Sequence, residues 1–158
     1  MNKKLFLIYL LILGLPIFLF APNNSQSASK LGVPIKVNKA DFLKYIYNFE
    51  KNPDQWVYEG KLPCIIDFYA DWCGPCRQMK TVLDNVAKSY SGKVIIYKVD
   101  VEAQKDLAAY FGIQSLPTIV FVPPTGKPKG IMGFIPQDDL TKIMEEFFNI
   151  KPIESKEI

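Results

Sequence analysis

What most limits how this chain can fold is a series of short apolar runs rich in β-branched and aromatic residues. They are PCIIDFYA at 63–70, KVIIYKV at 93–99 and TIVFV at 118–122. Runs of this length and composition read as strands, and the first, apolar at nearly every position, reads as one buried on both faces. The segments between them follow helical spacing instead. Met79, Val82, Leu83, Val86 and Tyr90 line one face of a helix that starts near a pair of cysteines, and a shorter helix at about 103–110 leads to Phe111 and Gly112. After the third run, PPTGKPKG turns the chain and GIMGF, 130–134, pairs as a hairpin. Pro136 suits the first turn of a last helix whose face is Leu140, Ile143, Met144 and Phe147. Upstream, Asn38 caps a helix with Phe42, Tyr45, Ile46 and Phe49 on its apolar face and Asp41 in its first turn, stopped by the loop KNPDQWVYEG at 51–60. This order of elements predicts an α/β fold, an open mixed sheet with helices on both faces.

The first thirty residues are unlike the rest. Lys3 and Lys4 precede an apolar run from Leu5 to Ala21, interrupted by Gly14 and Pro16 and followed by small polar residues. This is the layout of a secretory signal, so residues 1–29 are read as a signal peptide, with an uncleaved N-terminal membrane anchor as the alternative. As a helix the run would span roughly 25 Å at about 1.5 Å per residue, slightly short of the bilayer core. Either reading places the rest of the chain in the periplasm or another extracytoplasmic compartment. Residues 30–37 are then a linker, 38–150 one domain of ordinary size and 151–158 a frayed tail. Nothing in the charge suggests nucleic acid: the chain carries 19 basic and 16 acidic residues, with no basic cluster. It has no histidine at all, which removes every triad built on Ser-His or Cys-His and argues against ordinary hydrolase chemistry.

Two of the three cysteines stand in DWCGPCRQMK, residues 71–80. Taken alone, a CxxC pair is half of a metal site, a structural staple or a reactive dithiol. Zinc would require two more Cys or His ligands, and only Cys64 remains.

The wider pattern is more specific. FYADWCGPC, with Asp67 six residues before Cys73, and SLPT opening a strand at Pro117, 44 residues after Cys73, resemble the thioredoxin family over about Leu62–Phe148. The resemblance implies a thioredoxin fold, with a mixed central sheet flanked by helices on both faces. It also implies dithiol-disulfide exchange with protein disulfide substrates, using no metal and no cofactor beyond the dithiol. Cys73 would attack a substrate disulfide, and Cys76 would then attack Cys73 to release the reduced substrate. A place where strand gives way to helix supports that role, because unpaired N–H groups and the helix dipole stabilise a thiolate there. Gly74 lets substrate come close, and Pro75 stiffens the loop between the sulfurs without wasting an N–H. By the resemblance Asp67, anomalous in an apolar strand, becomes the proton acceptor for Cys76, through water, and Lys98 in the next strand modulates its pKa. Pro117 should be cis and expose the backbone of Ser115 and Leu116 for strand-like pairing with a peptide, while Trp72, Val101 and Gly133 line the substrate surface.

Four features depart from the family. Thr81 replaces a helix-kinking proline, Ser115 replaces a frequent glycine, the segment from about Val37 to Gly60 carries a longer linker and Trp56, and Cys64 is an additional thiol that reads as a small core residue, with a regulatory or intermolecular thiol as the alternative. The leading expectation is a reductase of envelope or secreted proteins. Because an extracytoplasmic dithiol is separated from cytoplasmic reductants, a membrane thiol-relay protein is the expected electron donor. A thiol oxidase or disulfide isomerase is the alternative within the same chemistry, and a thioredoxin-like binding module without redox turnover is the alternative outside it.

Overall fold

A computed structural model describes residues 32–153. The chain runs through β1 (Ile35–Lys36), α1 (Lys39–Tyr45), β2 (Cys64–Tyr69), α2 (Gly74–Ser89), β3 (Ile95–Asp100), α3 (Lys105–Tyr110), β4 (Thr118–Val122), β5 (Lys129–Met132) and α4 (Gln137–Phe148). The strands form one sheet in the order β1-β3-β2-β4-β5. β1, β3 and β2 are mutually parallel, whereas β4 runs antiparallel to β2 and β5 antiparallel to β4. The mixed sheet expected from the apolar runs is therefore present, with β2 at its centre and buried along its whole length.

Side chains alternate between the faces of a strand, and each face has its own core. Ile65, Ile96, Ile119 and Phe121 pack with Met79, Leu83 and Val86 of α2 and with Leu140 and Met144 of α4. On the other face Cys64, Ile66, Phe68 and Val99 pack with Phe42 of α1 and Leu107 of α3. At roughly 1.5–3 kcal/mol for each fully buried large apolar side chain, these two layers supply the main driving force for folding.

Three local expectations change. Ile35 and Lys36, read as linker, form β1 and pair with Tyr97 and Lys98 of β3; a two-residue strand is too short to show a periodicity. α1 begins as expected, with a reciprocal capping box between Asn38 and Asp41, but it ends at Tyr45. Phe49 lies beyond it and stacks on Tyr110, ring centroids 4.0 Å apart. Trp56 lies against Tyr47 at 4.4 Å, and Tyr47 forms a bridge with Tyr58, so the 47–58 segment closes over the core with aromatic rings. At the other end, the Ile153 amide donates to the Ser89 carbonyl at 2.8 Å, which ties the start of the expected frayed tail to the end of α2. Residues 1–29, read as signal or anchor, lie outside the described residues.

Candidate active site

Cys73 is the N-cap residue of α2: its backbone is extended, and its Sγ accepts the Cys76 amide at 3.2 Å. Cys76 follows one turn into the helix, so both sulfurs sit at the end where backbone N–H groups lack helical partners. The two form a disulfide with Cα atoms 5.2 Å apart, and both residues are buried. Pro75 occupies the first turn, where its missing N–H costs no hydrogen bond. A Cβ built on Gly74 would meet nothing nearer than the Arg77 guanidinium at 3.8 Å, so the chain between the two cysteines is uncovered at Gly74.

Two residues before Tyr69, which packs with the cysteines, β2 carries Asp67, 0% exposed, with Lys98 of β3 directly beside it in register. The Lys98 ammonium is 3.3 Å from Asp67 Oδ2, yet neither carboxylate oxygen has a hydrogen bond among the described residues. The pair is therefore held by charge without hydrogen-bond alignment. Burial raises the Asp67 carboxyl from 3.8 to about 6, and the Lys98 charge works in the opposite direction and keeps the value from rising further. A carboxyl in this range exchanges a proton readily near neutral pH.

The Leu116–Pro117 peptide is cis. The Pro117 carbonyl accepts the Gly133 amide at 2.7 Å, and the Thr118 hydroxyl donates to the Ser115 carbonyl at 2.7 Å. Part of the backbone expected to be free for peptide pairing is thus engaged by the protein itself. Leu116 and Val101 pack against the cluster that the two cysteines form with Tyr69 and Ala70. A groove of about 580 Å³ opens beside the disulfide, and Trp72, Gly74, Pro75, Val101, Ser115 and Leu116, all singled out from the sequence, line it. Trp72 is 69% exposed, a surface residue and not part of the core.

Pro117 and Gly133 are not in this lining. Pro117 is buried, and Gly133, at φ 93°, ends β5 in a conformation open to glycine. Asp67 and Lys98 are also not part of its wall. Lys105, Ala108, Ile113 and Gln114 complete the lining. Ile113 and Gln114 could have been found from their place just before SLPT, whereas nothing local marks the face of α3 that Lys105 and Ala108 present. Cys64 lies on the opposite side of the sheet, within the α1 and α3 core. Burial pushes its thiol up to about 12, and it packs in a different cluster from the disulfide.

The thioredoxin family model matches residues 44–146, well over half of the chain. The chain belongs to the thioredoxin family. Thioredoxin from Borreliella burgdorferi is 40% identical over 114 residues, covering 72% of this chain and 97% of that protein. The chloroplastic thioredoxin M-type of Spinacia oleracea is 35% identical over 95 residues, 60% of this chain and 52% of the spinach protein. Among solved structures, chloroplastic thioredoxin z superposes with a TM-score of 0.60 at 28% identity, covering 72% of this chain and 93% of that one. A mutant thioredoxin from Halobacterium salinarum shares the fold, at 24% identity and a TM-score of 0.59 over 77% of this chain and 96% of that one. This thioredoxin is accordingly a thiol-disulfide oxidoreductase, with Cys73 and Cys76 as its disulfide.

Proposed function

We propose that this thioredoxin reduces disulfides of envelope or secreted proteins, outside the cytoplasm. The observation that carries the reductive reading is the placement of the Cys73–Cys76 disulfide at a helix N-terminus, packed with Tyr69, two residues along β2 from a buried carboxyl whose pKa is raised to about 6. In the reduced protein, the Cys73 thiolate attacks one sulfur of a substrate disulfide. A Cys73–substrate disulfide forms, and the first substrate sulfur leaves as a thiolate. The Cys76 thiol gives its proton to the Asp67 carboxylate, attacks Cys73 Sγ and expels the second substrate thiolate. Two electrons have then passed to the substrate, both substrate sulfurs take up protons, and Cys73 and Cys76 are again joined.

The apolar groove with Trp72 at its rim would hold the peptide around the scissile disulfide, and the cis-Pro117 loop would run alongside it. Location rests on the sequence of residues 1–29, with its lysines and apolar run. Among the described residues no helix is long and apolar enough to cross a membrane. A dithiol working there needs electrons from across the membrane, and a membrane thiol-relay protein would donate them by the same exchange chemistry.

The test is insulin-disulfide reduction by dithiothreitol with wild type, Cys73→Ser and Cys76→Ser, together with the Cys73–Cys76 potential measured against glutathione. Acceleration by wild type alone and a potential in the reducing range are the expected results. Equal rates in all three proteins would overturn the redox reading. A potential well above that range would make the protein an oxidase or isomerase.

A further inference from the structure

Strand geometry brings four side chains to one corner of the sheet. Asp67 and Tyr69 are two residues apart on β2 and share a face. Lys98 of β3 is in register with Asp67, and Lys36 of β1 is in register with Lys98. Tyr69 is 5% exposed and packs in the same cluster as Cys73 and Cys76. The Lys98 ammonium lies over its ring, 4.1 Å from the centroid, while also lying 3.3 Å from Asp67 Oδ2. Lys36 sits over the same ring at 5.8 Å.

A lysine at the margin of a core tends to extend its ammonium toward water. Lys98 is only 8% exposed, and its carboxylate partner offers no hydrogen bond to hold it there. The electron-rich face of an aromatic ring attracts a desolvated ammonium at this distance, and the attraction strengthens as water is excluded. The ring is thus the second anchor of the lysine.

We propose that Tyr69 is a positioning residue whose ring holds the Lys98 ammonium against Asp67, and so sets the pH range over which Asp67 takes the Cys76 proton. This rests on the reading of Asp67 as proton acceptor. The other charged groups near this corner are Lys36 from β1 and, within Coulombic reach of Lys36, Asp71 and Asp100. From α2 the neighbouring groups are the two cysteines. On Asp67 itself, Lys98 is the charge that acts. Without the ring the ammonium swings outward, the carboxylate loses its compensating charge, and Asp67 holds its proton to higher pH.

The experiment is a carboxyl ¹³C NMR titration of Asp67 in the oxidised full chain, with no substrate present. It can therefore fail while the cysteine chemistry stands, and the insulin assay can fail while it succeeds. Tyr69→Phe keeps the ring and should leave the midpoint in place. Phenylalanines of increasing fluorination at position 69 keep the shape while weakening the negative face, and the midpoint should climb along the series. Tyr69→Leu should raise it by about 0.5–1 unit, and in a Lys98→Met background the same change should produce no rise. A midpoint that stays flat across the fluorinated series would overturn the proposal. So would an equal rise with and without Lys98. Should Tyr69→Leu fail to fold, the fluorinated series decides alone.

Discussion

Replacing Asp67 by asparagine removes an ionisable group from the least accessible position of the active site, and the structure sets both the sign and the size of the result. The carboxyl is 0% exposed, and burial raises its pKa from 3.8 to about 6. The native state therefore binds this proton more tightly than the unfolded chain. That contribution to stability is complete below the unfolded value of 3.8 and is lost as the pH rises through about 6. At about 1.36 kcal/mol per unit, the displacement from 3.8 to about 6 corresponds to about 3 kcal/mol. Asp67→Asn has no proton to release, so its stability relative to wild type should increase by about 3 kcal/mol between about pH 3.5 and about pH 8. In a domain of this size that is a gain of about 10 °C in Tm. Lys98 loses its partner in the variant, but that cost is the same across the range and drops out of the pH difference. The assay is urea unfolding of both oxidised proteins, followed by circular dichroism at several pH values. Two parallel stability profiles would show that solvent reaches the carboxyl, and the account of Asp67 as a buried, proton-retaining base would be wrong. Activity should move the opposite way, with slower release of the mixed disulfide.

Trp72→Ala and Leu83→Ala should separate the groove from the core. The first removes a side chain that is 69% exposed and should change stability by less than about 0.5 kcal/mol, while kcat/KM for a protein disulfide falls about tenfold. The second empties a fully buried site beneath α2 and should cost about 2–5 kcal/mol in urea unfolding. Iodoacetamide applied to the reduced native protein near neutral pH should label Cys73 and leave Cys64 unmodified, because burial pushes the Cys64 thiol up to about 12. Mass spectrometry of the tryptic peptides checks this, and rapid labelling of Cys64 would show that the 47–58 segment opens readily.

Sequence alone determined the main strands and helices, and it placed Cys73 and Cys76 one turn apart; their exchange chemistry comes from the wider family resemblance. The first features are local: a buried strand requires a nearly continuous apolar run, and a helix an apolar stripe at its own period. Asp67 was legible for the same reason, since a carboxylate inside CIIDFY has no place in a core without a purpose. What depended on residues distant in the chain was decided only by the tertiary structure. β1 exists because β3 offers its edge to two residues that carry no pattern of their own. Phe49, past the end of α1, stacks on Tyr110, 61 positions later, a contact that no local pattern records. Lys105 and Ala108 join the groove through the packing of α3. The union of Lys98, Tyr69 and Asp67 at one corner depends on strand register, which sets which side chains face one another across a sheet and which no single strand's sequence records.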